Sequence, residues 1–400
     1  MSFTFKLFLV WTFFIIGRPQ DFFHFLQPFR PVFLLIGANV LISFFNNETS
    51  ISKKFTDYSQ VKRYFLLYLI MIIGVPFSLH KGKSFDFVTS QYLTNAIYFY
   101  FFLIHVDTSD KLEKVLYTVC LSNFLYAGLC MLNAGLSTGR FSYGTMYDPN
   151  DLAYFLISLF PLSFYFFLAK KSALKKMIAG ITIALSLILI LMTGSRGGLI
   201  GLLTVSLLIF FTKFSLLKSF QKIILMIVIA IALVINMDKI DMDRYTTIVE
   251  IEDDYNVTSE EGRLKVWQRG FELTLQNPLT GVGVNCFPDA LGFYRQKIGV
   301  LPKWQTAHNS FVLILTELGF PGFLVFILLT LKAVTIFYNC AKRDPPLPNL
   351  EQTTMMSRVM LIAFVGHLAC AFFLSMSYSI LFTLFFAMSV TIANLNRQTA

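Results

Sequence analysis

The stretch LMTGSRGGLIGL, residues 191–202, sits between two runs apolar enough to cross a lipid bilayer, and it puts an arginine between them. A charged side chain at the centre of a spanning helix costs about 2.5–3.5 kcal/mol on insertion scales, so Arg196 must lie at a membrane surface or serve a purpose in the membrane. The rest of the chain decides which. Hydrophobic residues make up 56% of the 400 and charged residues 14%, with 45 phenylalanines, so most of the chain has lipid rather than water as its solvent.

The net charge of +10 does not point to nucleic acid, because the lysines gather in short loops between apolar runs. Windows of spanning length fall near 2–17, 31–46, 64–80, 88–106, 112–136, 151–169, 176–194, 197–212, 219–236, 308–333, 358–374 and 378–396, which predicts about twelve transmembrane helices. The first window has Lys6 within it but ends in GRPQD rather than at a small-residue cleavage site, so it is read as a retained span. With the N-terminus inside, the even-numbered connections carry Lys53, Lys54, Lys62, Arg63, Lys111, Lys114, Lys170, Lys171, Lys175, Lys176, Lys213, Lys218, Lys222, Lys342, Arg343 and Arg358. The short odd-numbered connections carry only Arg18, Arg30, Lys81, Lys83, Arg140 and Arg196. That asymmetry places both termini in the cytoplasm and turns the GSRGG loop outward, together with the one long loop, 237–307. The expected architecture is an all-α polytopic membrane domain spanning 1–400, with 237–307 as a cap. The cysteines Cys120, Cys130, Cys286, Cys340 and Cys370 form no disulfide framework.

Within the long loop, Thr258 with Glu261 reads as a capping box, and Leu264, Trp267, Phe271 and Leu275 recur at helical spacing before Asn277-Pro278. This pattern suits an amphipathic helix lying on the membrane surface. In the GVGVNCF segment that follows, Gly281 and Gly283 permit a tight turn.

The candidate chemistry collects at the outward side. Gly194, Gly197, Gly198 and Gly201 share a helix face suited to close packing, while Gly194 and Ser195 open a helix whose N–H groups, with Arg196, could hold a phosphate. His308, in QTAHNSF, stands at the outer end of the tenth span with Asn309 beside it. Near a guanidinium it would stay neutral and act as a general base. Glu317 lies roughly 13 Å deeper along a straight helix and is expected to pair with an arginine or to cap the break at Gly319 to Gly322. The segment EEGRLKVWQRG offers Arg263 in the first turn, with Lys265 and Arg269 on neighbouring faces. Asp148, Asn150 and Asp151 open the sixth span, where Asn150 or Asp151 is expected as the N-cap. Asp241 and Asp243 form a DMD pair without a third ligand, so no metal or other cofactor is expected. Two arginines, a helix N-terminus and a histidine at one membrane face describe a site for a diphosphate-linked lipid and an attacking hydroxyl.

These residues resemble the O-antigen ligase and polymerase superfamily, membrane glycosyltransferases of the C-type architecture. The resemblance is carried by TGSRGG at 193–198, YDPNDLA at 147–153, GRLKVWQRGFELTLQNPLTGVG at 262–283 and AHNSFVLILTELGFPG at 307–322. It implies an undecaprenyl-diphosphate-linked glycan donor, a periplasmic site in the bacterial inner membrane, metal independence, and essential roles for Arg196, Arg263 and His308. It leaves the acceptor open between lipid A core for a ligase, a growing glycan for a polymerase and a protein hydroxyl for a related transferase, with the ligase favoured. The N-terminal RPQDFFHFLQPFRP, 18–31, also resembles such proteins, without a role. A lipid-linked glycan flippase is the alternative from another class. It is disfavoured because polar groups collect at the outer face rather than at the midplane.

Overall fold

A computed structural model describes residues 2–45, 58–133, 141, 148–211, 218–223, 227, 259, 262–343 and 351–399. Among these residues the fold is entirely helical. The Thr258 and Glu261 pair, the DMD pair, Tyr147 and most of the expected span 219–236 lie outside the described residues.

The helices are α1 (Phe3–Gly17), α2 (Pro31–Phe45), α3 (Ser59–Gly74), α4 (Lys81–Asp86), α5 (Leu93–His105), α6 (Ser109–Asn133), α7 (Pro149–Leu168), α8 (Ala173–Met192), α9 (Arg196–Phe211), α10 (Arg263–Gln276), α11 (Phe287–Lys297), α12 (Ser310–Ala341), α13 (Glu351–Ala371) and α14 (Ile380–Thr399). Among the described residues eight helical stretches are long and apolar enough to cross a bilayer, against twelve windows in the sequence, one of which, 219–236, lies mostly outside them. The difference has physical sources. α1 and α9 are apolar but shorter, and the expected span 88–106 belongs to a helix from Lys81 to His105 interrupted by a π turn at Phe87–Tyr92. The protein is a multi-pass membrane protein.

α7 is the hub. Its side chains from Leu152 to Phe166 are buried all round, as expected of a helix that is apolar on every face, and it packs against α6, α8, α9 and α13. Small residues allow the closest approaches. A Cβ on Gly198 would stand 2.7 Å from Ala153 Cβ of α7, and one on Gly201 would overlap Cys370 of α13. The glycine face of 194–201 therefore serves helix packing at Gly198 and Gly201. All five cysteines are buried and free.

α12 is the longest helix, at 32 residues, and it breaks at Gly319, where φ is 65° and ψ is −170°. A break frees backbone groups that lipid cannot satisfy. Here the Gly281 turn satisfies them: Val282 N–H donates to Thr316 O at 2.9 Å, Gly283 N–H to Glu317 O at 3.1 Å, and Phe320 N–H to Pro278 O at 2.9 Å. The loop is stitched on its other side by Leu79 N–H to Val282 O at 2.9 Å and Ser84 Oγ to Val284 O at 2.6 Å.

The two ends of the bundle differ chemically. At one end, Glu113 accepts from Lys171 at 2.6 Å, Gln352 at 2.7 Å and Tyr165 at 2.9 Å, tying α6, α7 and α13 together. Arg358 at the same end reaches Ala341 O at 3.0 Å, and Arg343 donates to Asn396 at 2.9 Å. Lys175 lies at this end as well, 3.9 Å from Glu113. α7, α9, α12 and α14 all begin at the other end.

Candidate active site

At that other end, α8 stops at Met192 and the chain turns through Gly194, at φ 56°. Ser195 starts α9: its Oγ accepts from Gly198 N–H at 3.0 Å and donates to Asn150 Oδ1 at 2.7 Å. Arg196 is the first residue of α9 and is half-buried, and that first turn holds no acidic residue. A cation at the positive end of a helix is disfavoured by about 0.3–1 kcal/mol, so local helix chemistry does not account for it. An anion held by both guanidinium and helix end would. Loss of the cap is expected to be mild. Ser195→Ala should cost about 1 kcal/mol, read as a fall of a few degrees in the unfolding midpoint of the purified protein.

Asn150 is held in turn by Asp148, whose Oδ1 accepts its backbone N–H at 2.7 Å and its side-chain amide at 2.5 Å. This corrects the expected N-cap. Asp148 caps α7, and Asn150 is spent on Ser195. The sequence DPND was ambiguous because any of its polar residues can cap, and Pro149 at N1 selects the one before it.

His308 precedes the cap of α12. Asn309 is that cap, accepting from Phe311 N–H at 2.8 Å and Val312 N–H at 3.0 Å, so its role is structural. His308 itself lies in the left-handed region at φ 48°, with its N–H donated to Ser375 Oγ at 2.9 Å and its Nε2 3.5 Å from Thr306 Oγ1. A non-glycine residue at positive φ carries backbone strain, which the cap and Ser375 hold in place.

Arg263, at the start of α10, is brought to this histidine by the way α10 docks. Val266 packs with Phe287, Leu291, Ala307 and Leu313, and Trp267 Nε1 donates to Ala307 O at 2.9 Å, immediately before His308. Burial and the Arg263 guanidinium both push the His308 pKa below its ordinary value, while the Asp148 carboxylate opposes them. The three groups therefore share one electrostatic neighbourhood. The apolar stripe of α10 is left outside: Leu264, Phe271 and Leu275 are exposed, as suits a helix facing lipid.

Arg269 departs from Arg263. It is buried on the α11 side, where its charge reaches Tyr294. Glu317 is also corrected. Among the described residues its carboxylate pairs with no arginine; Oε1 accepts Phe287 N–H at 2.9 Å, with Asn285 and Cys286 N–H also donating, and Oε2 accepts Tyr378 OH at 2.8 Å. It caps the start of α11 from another helix, which explains a buried acid without a cation. A cavity of about 380 Å³ is lined by Thr306 and Ser375, the two residues that contact His308, and by Glu317, Tyr378, Asn95 and others.

The turn 372–379 was missed by sequence reasoning, although Ser375, Ser377, Tyr378 and Ser379 within one short link between apolar spans were a visible signal. So was His367, buried in α13, 2.9 Å from Ser158 Oγ and 3.4 Å from Tyr154 OH. Among the described residues no three His, Cys, Asp or Glu side chains gather as metal ligands would.

Residues 181–327 match the family described as O-Antigen ligase, a stretch that includes Arg196, Arg263, His308 and Glu317. No curated protein matches the chain. The chain is thus a multi-pass membrane protein whose residues 181–327 are similar to the O-antigen ligase family.

Proposed function

We propose that the protein is an O-antigen ligase: an inverting, metal-independent glycosyltransferase of the bacterial inner membrane that moves a glycan from undecaprenyl diphosphate to a hydroxyl of lipid A core. The observation that carries this reading is the docking of Arg263 next to His308, where burial and the guanidinium lower the pKa of a candidate base beside a candidate anion site. The cation-rich connections of the sequence favour a cytoplasmic assignment for the opposite end, which turns the site and the loop residues 262–307 to the periplasm.

In this mechanism Arg196 and Arg263 hold the diphosphate and neutralise the charge it gains as its bond to the anomeric carbon breaks. His308 takes the proton of the acceptor hydroxyl while that oxygen forms the new bond to the opposite face of the sugar. Diphosphate is a good leaving group, so neither a general acid nor a metal is required. Gly194, Ser195, Asn150 and Asp148 fix the geometry, and Asp148 moderates the histidine.

Arg196→Ala is expected to lower transfer about 10²–10³-fold, with Arg196→Lys intermediate, when purified protein is given lipid-linked glycan and lipid A core. Activity should be unchanged in EDTA. The glycan profile of a deletion strain tests the acceptor: core without polymer supports a ligase, single repeats on core a polymerase, and unchanged glycans neither.

A further inference from the structure

The RPQD segment at 18–21 opens onto a second cavity. This space, of about 290 Å³, is lined by Arg18, Asp151, Tyr154, Phe155 and Ser379, with apolar side chains of α1 and α14. It shares Met376, Ser379 and Ile380 with the cavity lined by Thr306 and Ser375, so the two are neighbours across one short turn.

We propose that this second cavity binds a neutral sugar ring, that of the acceptor, and that Arg18 and Asp151 select it. The inference rests on the transferase reading above. Arg18 is a fixed group: its backbone is turned at φ 46° by the end of α1, and its Nε lies 2.7 Å from the buried Asp21 carboxylate. That ion pair balances its charge while a planar fork of N–H donors is held at the cavity wall. Asp151 adds a carboxylate on the first turn of α7, and among the described residues no side chain donates a hydrogen bond to it.

The lining suits hydroxyls and disfavours phosphate. With Arg18 balanced by Asp21, the unbalanced charge on the wall is the Asp151 carboxylate, which repels a diphosphate and accepts from sugar O–H groups. Tyr154 and Phe155 supply the flat apolar surface on which a sugar's C–H face can rest, in a volume at the small end for ligand pockets. Position argues for the acceptor: the adjoining cavity is lined by Thr306 and Ser375, both in contact with His308, so a ring seated here lies one short turn from the base.

The test is steady-state kinetics of the full-length protein in nanodiscs, with undecaprenyl-diphosphate-linked O-antigen repeats as donor and purified lipid A core as acceptor. Arg18→Gln and Asp151→Asn should each raise the acceptor KM about tenfold or more, with kcat and donor KM within about twofold of wild type. A rise in donor KM instead would assign the cavity to the donor's sugar and overturn the proposal, as would unchanged constants in both variants. If Arg18→Gln does not elute as folded protein, the isosteric Asp151→Asn decides alone. Wild-type transfer with an unaltered Asp151→Asn variant defeats only this cavity assignment, whereas a wild type without transfer defeats the underlying reading as well.

Discussion

His308→Ala abolishes most glycan transfer, with an expected fall in kcat of about 10²–10⁴-fold, the range for removing a positioned general base. The loss should appear in kcat rather than in the KM of the donor, because the diphosphate is held by Arg196 and Arg263, which remain. Folding should survive. The residue is half-buried, and its contacts to the turn are a backbone N–H to Ser375 that alanine keeps and a long approach to Thr306. The purified variant should therefore elute like wild type while turning over poorly. A glutamine at 308, which keeps polarity and some reach but cannot take the proton, should be as slow as the alanine.

Gly281→Ala is expected to have the second large effect, this time on the folded state. Its φ is 66°, and an added Cβ would overlap the carbonyl group of Glu317 and stand 2.6 Å from Leu318 N. Both neighbours are backbone of α12 at its break, so neither can rotate away. Strain plus overpacking amounts to about 3–5 kcal/mol, a large part of the stability of a typical domain. The yield of monodisperse protein should drop sharply. Gly299→Ala is the control, because Gly299 has a similar φ of 75° with open space around its Cβ position, so only the backbone penalty applies. If the two variants behave alike, the interlock between the Gly281 loop and α12 does not matter for stability.

The placement of the candidate residues was legible because they stand at helix beginnings. Caps, glycine turns and charges next to apolar runs mark where helices start, and the asymmetry of loop lysines groups those starts on one side. Arg196, His308 and Arg263 follow from that reasoning. The exposed stripe of Leu264, Phe271 and Leu275 was legible too, since an apolar face at helical spacing seeks an apolar medium, here outside the protein. What escaped depends on pairing between distant segments. Nothing local shows that Glu317 meets the N–H groups of residues 285–287, some 30 positions earlier, or that Asn150 is taken by Ser195. Arg269 was expected on a face neighbouring that of Arg263, but nothing local shows that this face is buried against α11, where its charge reaches Tyr294. The packing of α9 on α7 and α13 was likewise hidden, because hydropathy windows measure apolarity and not which helices meet, whereas the break of α12 at Gly319 was expected from its glycines.

The central claim is that His308 acts as a base held neutral beside Arg263, and the acidic limb of kcat/KM against pH measures it directly. Burial and Arg263 lower the pKa, so activity should persist as pH falls below the ordinary histidine value of about 6.5 and decline only beyond it. Arg263→Gln removes one lowering influence and should move that limb to higher pH, even as it slows the reaction. Asp148→Asn removes the opposing carboxylate and should move it lower. Limbs shifting in these opposite directions are the predicted result; a limb at the same pH in wild type and both variants would contradict the assignment of His308 as the base.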